Sequence, residues 1–207
     1  MHKKAVFLDR DGTINVDKRY LYKREDFEYL PGAIDGLRMI QDAGFTLIII
    51  TNQSGIARGY YKEEDYKILE EWMKADLKCK GITISATYYC PHHSYAIINQ
   101  YKMECRCRKP KTALFYKAAR ENGIDVNLSF AIGDRLRDSE RICKETSCQG
   151  FLIGETEEKW VIDSVKGQEY KNLRYKKTLY DAARSITEDF RKIQETENGI
   201  FDDFFSG

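Results

Sequence analysis

The sequence predicts an α/β fold: a Rossmann-like parallel sheet with helices on both faces and a cysteine- and histidine-rich loop inserted after the third strand. Three observations predict it. Apolar runs of strand length alternate with segments of helical period, which is how parallel strands joined by crossover helices read. One run, "FTLIIITN" (45–52), is continuously apolar and rich in β-branched residues, as expected of a strand covered on both faces. Short polar clusters recur where strands end, the edge at which open parallel sheets hold ligands.

The elements follow in order. "KAVFLD" (4–9) reads as the first strand, and "AIDGLRMIQDAG" (33–44) as an amphipathic helix that Gly44 stops. After the strand 45–52, "KEEDYKILEEWMKADLKCKG" (62–81) is a long helix. Its Tyr66, Leu69, Trp72, Met73 and Leu77 fall at core spacing, and the acids at its start suit the helix dipole. "ITISATYYC" (82–90) is the third strand, and an irregular segment (91–112) follows it. Then come a helix (113–123), a strand (128–134), a helix (138–147) and a strand (150–154). "KWVIDSVK" (159–166) reads as a further strand, "KNLRYKK" (171–177) as a basic surface loop, and 177–194 as helical in period. The terminal "FDDFFSG" (201–207) is apolar, and docking or fraying is expected of it in equal measure. The whole reads as a single domain, 1–207, with a distinct C-terminal extension from about 155.

Charge narrows the function classes. Lys+Arg 34 against Asp+Glu 33 leaves no basic excess, which argues against nucleic acid or an anionic membrane surface as partner. No apolar stretch is long enough to span a bilayer, and the start is too short for a signal peptide. A cytosolic (cytoplasmic) monomer is expected.

"FLDRDGTIN" (7–15) ends a buried strand on two acids, Asp9 and Asp11, which repel unless something joins them. Three further clusters fall at comparable boundaries: "TNQSG" (51–55), "CRKP" (107–110) and "GDRLRD" (133–138). Each alone is a common turn or cap. Four in this order around one crevice make a phosphoryl-transfer site. A carboxylate at Asp9 can attack phosphorus, and Asp11 can protonate the leaving oxygen and later take a proton from water. Two acids and a phosphate need a divalent cation, for which Asp134 offers a further oxygen, and Mg²⁺ suits such a set. Thr51, Asn52 and Lys109 can steady the phosphoryl oxygens, while Arg108 can fork onto a second anionic group. The gap between the first two clusters holds only a loop and a helix, with no large lid. Small substrates are therefore expected, and Arg108, Arg135 and Arg19 leave cations to spare for a bisphosphate.

Cys90, His92, Cys105 and Cys107 form two close pairs twelve residues apart. Three thiolates and an imidazole make a closed tetrahedral set for structural Zn²⁺. Such an ion would pin the irregular loop 90–107 that leads into Arg108 and Lys109. Cys79, Cys143 and Cys148 read as free thiols, mostly packing.

"DRDGT", "TNQSG", "RKP" and "GDRLRD", in that order, resemble the four motifs of the haloacid-dehalogenase-like phosphatases. "FLDRDGTINVD", "TNQSGIARG", "YYCPHH" and "CRCRKP" are similar to one group among them, the D-glycero-D-manno-heptose 1,7-bisphosphate 7-phosphatases with their histidinol-phosphate phosphatase relatives. The likeness runs from about residue 4 to 138. It implies Asp9 as nucleophile, Asp11 as acid and base, and Mg²⁺ held by Asp9, the Asp11 backbone carbonyl and Asp134. It further implies that Thr51 and Lys109 steady the phosphoryl group, that Arg108 recognises substrate, and that Asp17, Tyr20, Asn52, Gln53 and Ser54 hold the sugar. The chain departs from the family in two places. "RKPKTALFY" lacks the glycine usual after Arg-Lys-Pro, and Arg135 stands where lysine is common. The expected function is Mg²⁺-dependent removal of the 7-phosphate from a heptose bisphosphate through an aspartyl-phosphate. Histidinol-phosphate phosphatase is the rival within enzymes, and a catalytically retired binding protein on the same fold the rival outside them.

Overall fold

The computed structural model describes residues 3–204, with side chains described for 3–192. Six strands form one parallel sheet in the order β3-β2-β1-β4-β5-β6. They are β1 (Ala5–Leu8), β2 (Thr46–Asn52), β3 (Ile84–Cys90), β4 (Phe130–Gly133), β5 (Gln149–Ile153) and β6 (Leu173–Lys176). This is the doubly wound Rossmann order. The chain builds outward from β1 to β3, then returns to place β4 on the other side of β1. That reversal opens a crevice over the carboxyl ends of β1 and β4, where Leu8 pairs with Ile132. The residues just beyond those ends are Asp9 and Asp134.

Alternation along the strands sorts the two layers. Val6, Leu8, Leu47, Ile49 and Ile132 face α1 (Ala33–Asp42), α3 (Glu63–Cys79) and α7 (Leu179–Phe204), which contribute Leu37, Ile40, Met73, Leu77, Leu179 and Ile186. Ala5, Phe7, Ile48, Ile50 and Ala131 face α4 (Ala113–Asn122) and α5 (Glu140–Glu145), where Phe7 meets Phe115 edge-on at 5.3 Å. A short α2 (Ser54–Ala57) follows β2. On α3, Tyr66, Leu69, Met73 and Leu77 are buried as their spacing predicts.

Two segments differ from expectation. Residues 159–166 are a helix, α6 (Lys159–Lys166), not a strand. Its buried residues are Val161, Ile162 and Val165, an i, i+1, i+4 set that makes one helical face, and Trp160 is left 62% exposed. Local β-branched content suggested the strand; packing on Leu152 and Leu173 decides for the helix. The basic segment 171–177 is not simply a loop, since it supplies the edge strand β6. Leu173 alone is buried there, and the cationic flanks of an edge strand are what keeps it from pairing with other chains. Cys143 and Cys148 pack in the core, whereas Cys79 is exposed. Among the described residues no helix is long and apolar enough to cross a membrane. The α7 backbone runs to Phe204; the side chains of 201–204, and residues 205–207 entirely, lie outside the described part, so the terminal apolar segment is not placed.

Candidate active site

The first acid is fixed by the sheet. Asp9 continues the β1 pairing, its N–H donating to the Ile132 carbonyl at 2.9 Å. The chain then turns sharply, with the Thr13, Ile14 and Asn15 N–H groups all donating to the Arg10 carbonyl. Gly12 sits inside this turn at φ 79°, and a Cβ there would lie 2.3 Å from Asp134 Oδ2. Only glycine lets the two loops approach so closely.

Lys109 is the centre of the site. It is 3% exposed, and its Nζ lies 2.7 Å from Asp9 Oδ1, 2.8 Å from Asp138 Oδ1 and 2.6 Å from the Ile50 carbonyl. Its main chain is held by Asn52, whose Oδ1 accepts the Lys109 N–H at 3.0 Å while its Nδ2 donates to the Lys109 carbonyl at 3.2 Å. Without the glycine usual after Arg-Lys-Pro, the turn into α4 is still closed, by the Lys111 N–H donating to the Arg108 carbonyl at 2.9 Å.

Asp9, Asp134 and Asp138 bring one carboxylate oxygen each to within 4.8 Å of one another, all three buried. Burial, opposed by Lys109, pushes Asp9 up to about 6. Burial together with the charges of Asp9 and Asp138 pushes Asp134 up to about 7. Burial would lower Lys109, but Asp138 and Asp9 outweigh it and hold the ammonium above its ordinary value. One lysine cannot neutralise three carboxylates, so the donor set fits a hard divalent cation. The Asp11 carboxylate is not part of this trio. It accepts from Arg10, from Asn15 Nδ2 at 2.9 Å and from Gln53 Nε2 at 3.1 Å.

A cleft of about 450 Å³ opens over these groups. The structure brings Asp17, Tyr20, Thr51, Asn52, Gln53, Ser54, Arg108 and Arg135 to its walls, together with Asp9, Asp11 and Asp134, while Lys109 lies beneath. Arg19 and Tyr20 hold consecutive left-handed conformations (φ 54° and 61°) at the mouth, where Tyr20 packs against Tyr60 at 4.4 Å. Strained backbone of this kind is concentrated at ligand sites. Two placements qualify the expected roles. Both ends of the Asn52 amide are engaged by Lys109, and Arg135 turns toward Asp134 (3.7 Å) and the Thr156 carbonyl (2.7 Å).

Several residues of the site were not singled out by the sequence. Asp138 closes the "GDRLRD" cluster, so its acid was in view, but its pairing with Lys109 was not. Arg58 and Arg137 line the cleft with Arg108, and none of the three has a carboxylate partner among the described residues. Arg58 reaches His93 Nε2 at 3.1 Å and Arg108 the His92 carbonyl at 3.4 Å. Burial lowers the Arg108 guanidinium, and the charges of Arg137 and Arg58 add to that.

Beside the cleft, Cys90, His92, Cys105 and Cys107 each bring a ligand atom within 4.8 Å of the others. Cys90 Sγ lies 3.4 Å from Cys105 Sγ and 3.2 Å from Cys107 Sγ, and His92 Nδ1 is 3.2 Å from Cys107 Sγ and 3.8 Å from Cys90 Sγ. A tetrahedron of zinc–sulfur bonds has edges of about 3.8 Å, so the four atoms fit one small ion after slight expansion.

A family model described as polynucleotide kinase 3 phosphatase matches residues 4–153. A D-glycero-beta-D-manno-heptose-1,7-bisphosphate 7-phosphatase of Photorhabdus laumondii is 46% identical over 136 residues, 66% of this chain and 72% of that protein. One from Yersinia pestis is 36% identical over 170 residues, 78% of this chain and 90% of the relative. Photorhabdus laumondii also has a 7-phosphatase named for the alpha anomer, 46% identical over 135 residues and covering 65% of this chain and 74% of its own. Among solved structures, the D,D-heptose 1,7-bisphosphate phosphatase of B. bronchiseptica complexed with magnesium and phosphate superposes with a TM-score of 0.72. It shares 26% identity and covers 90% of this chain and 99% of its own. A HAD-like phosphatase from Mesorhizobium loti gives 0.77 at 25% identity, covering 91% and 88%.

Proposed function

Because the chain belongs to the haloacid-dehalogenase-like phosphatases, we propose that it removes the 7-phosphate of D-glycero-D-manno-heptose 1,7-bisphosphate by way of an aspartyl-phosphate on Asp9. Asp9 attacks phosphorus, and the bond to the sugar oxygen breaks. Asp11 gives that oxygen a proton and later takes one from the water that hydrolyses the acyl phosphate. Lys109, already 2.7 Å from Asp9, stays beside the phosphoryl oxygens as charge moves onto them. Thr51 adds a hydroxyl, and Asn52 acts by fixing the main chain of Lys109. Asp9, Asp134 and the Asp11 backbone carbonyl would hold Mg²⁺, with Asp138 as a further carboxylate beside it. When bound, the ion supplies the positive charge that lets these acids and a phosphate share one site. Zn²⁺ on Cys90, His92, Cys105 and Cys107 would be saturated by protein ligands, and so would order the loop before Arg108 and stay out of the chemistry.

The observation that carries the substrate is the second cationic wall. Arg58, Arg108 and Arg137 face the cleft without carboxylate partners among the described residues, and they call for another anion a short distance from the first. A bisphosphate supplies it. Histidinol phosphate brings an ammonium instead, which this wall repels. Asp17, Tyr20, Gln53, Ser54 and Arg135 complete the sugar site. A binding protein on this fold would have no use for a buried nucleophile beside an acid. The test is a panel of phosphorylated metabolites with the purified protein and Mg²⁺, including both anomers of the heptose bisphosphate and histidinol phosphate. The bisphosphate should have the largest kcat/KM; a preference for histidinol phosphate, or no turnover of any member, would overturn the assignment.

A further inference from the structure

We infer that Arg10, the residue between the two acids, is the positioning residue for proton transfer by Asp11, with Gln53 as a second brace that Tyr61 orients. The inference rests on the proposed reading of Asp11 as the acid. Arg10 is 1% exposed, an unusual place for a guanidinium. Its Nε lies 3.1 Å from Asp11 Oδ1, and its Nη2 reaches Oδ1 at 2.9 Å and Oδ2 at 2.8 Å. Nη2 also donates to the Leu21 carbonyl at 3.1 Å, beside the strained segment at the cleft mouth, and the guanidinium lies 5.5 Å above the Tyr66 ring. Burial opposes the charge, yet Asp11 beside it holds the guanidinium above its ordinary value.

An apolar side chain would fill this position without the cost of burying a charge. What the charge achieves is a fixed aim for Asp11. The brace on the other side is equally constrained: Gln53 Nε2 donates to Asp11 Oδ2 at 3.1 Å and to Thr51 Oγ1 at 3.0 Å, and Tyr61 donates its hydroxyl to Gln53 Oε1 at 2.6 Å. The amide therefore cannot turn over. With Asn15 included, Oδ1 accepts three contacts and Oδ2 two, near the capacity of a carboxylate. Oδ2, which carries the fewer donors, is the oxygen left to exchange the proton. The phosphorus–oxygen bond breaks with its electron pair staying on the sugar oxygen, which takes the proton from Oδ2. Asp11 returns to a carboxylate gripped by Arg10, and it regains a proton from the hydrolytic water.

The test uses the full chain with Mg²⁺ and two substrates, the preferred sugar phosphate and p-nitrophenyl phosphate, whose leaving group needs no acid. The readout is kcat/KM, which reports only the transfer to Asp9. Arg10→Met should lose roughly 100-fold on the sugar phosphate and less than about 5-fold on the aryl ester, within the usual range for removing acid catalysis. Arg10→Lys should recover part of the loss. Tyr61→Phe, which keeps the ring stacked on Tyr22, should lose about 5-fold on the sugar phosphate alone. Equal losses on both substrates, or none, would overturn the inference. Should Arg10→Met fail to fold, Tyr61→Phe decides by the same contrast. If Asp9→Asn kept the wild-type rate, the failure would lie in the underlying phosphatase reading and the inference would fall with it.

Discussion

Replacing Asp134 by asparagine should stabilise the Mg²⁺-free protein while destroying its activity. Asp134 is 3% exposed, shares its pocket with Asp9 and Asp138, and has its carboxyl lifted to about 7. An unfolded aspartate ionises near 4. The folded chain therefore disfavours the charged form by about 4 kcal/mol once the pH is well above 7. A carboxyl raised in this way holds its proton more tightly when folded. Its stabilising share is complete below about pH 4 and is lost as the pH rises through about 7. Asparagine carries no such dependence. The assay is thermal or urea unfolding of both proteins at about pH 5 and about pH 8, in buffer exchanged free of Mg²⁺ without a chelator, so that the proposed Zn²⁺ site is left undisturbed. At the higher pH the variant should be favoured by about 2–4 kcal/mol, roughly 5–10 °C for a chain of this size, and at the lower pH by about 1 kcal/mol. Mg²⁺ should raise the melting temperature of the wild type and leave the variant's almost unchanged. A variant less stable than wild type at the higher pH, or an advantage that does not grow with pH, would refute the argument that these acids are held together for a cation.

Asp9→Asn should abolish turnover without lowering the melting temperature, because Lys109 keeps Asp138 and the Ile50 carbonyl; circular dichroism with a phosphate-release assay checks both. The proposed Zn²⁺ site predicts about one zinc ion per wild-type chain by atomic absorption and far less in Cys90→Ser, whose turnover should slow about tenfold as Arg108 and Lys109 lose their anchored approach. Gly12→Ala places a methyl 2.3 Å from Asp134 Oδ2 on a backbone at φ 79°, so it should cost about 1–3 kcal/mol of stability and most of the activity.

The centre of the fold was legible because its signals are local. The apolar run of β2 and the acids just past β1 and β4 lie within a few residues of what they determine. Where several partners decide, the sequence misleads. Val161, Ile162 and Val165 look like strand until Leu152 and Leu173 give them one face to cover. Leu173 is a single apolar residue among cations, and only its neighbour β5 makes it a strand. Asp138 looks like the first residue of a helix; its importance comes from Lys109, 29 positions earlier in the chain and brought there by Asn52. Arg10, between two acids, carries no signal of its own in the sequence; its burial against the Leu21 carbonyl and the Tyr66 ring appears only in the fold. The gathering of Cys90, His92, Cys105 and Cys107 was readable because four such groups fall within eighteen positions of one irregular loop.

The last helix has a practical bearing on how the protein is handled. Leu179, Ala182, Ala183 and Ile186 occupy the same layer as Leu8 and Ile49, and Phe190 lies edge-on to Phe45 at 5.5 Å. Likeness to the family model stops at residue 153, before any of these. A fragment trimmed there would retain every acid of the cleft and still lay bare the part of its sheet and of α1 that the last helix covers, so it would aggregate where a minimal enzyme was intended.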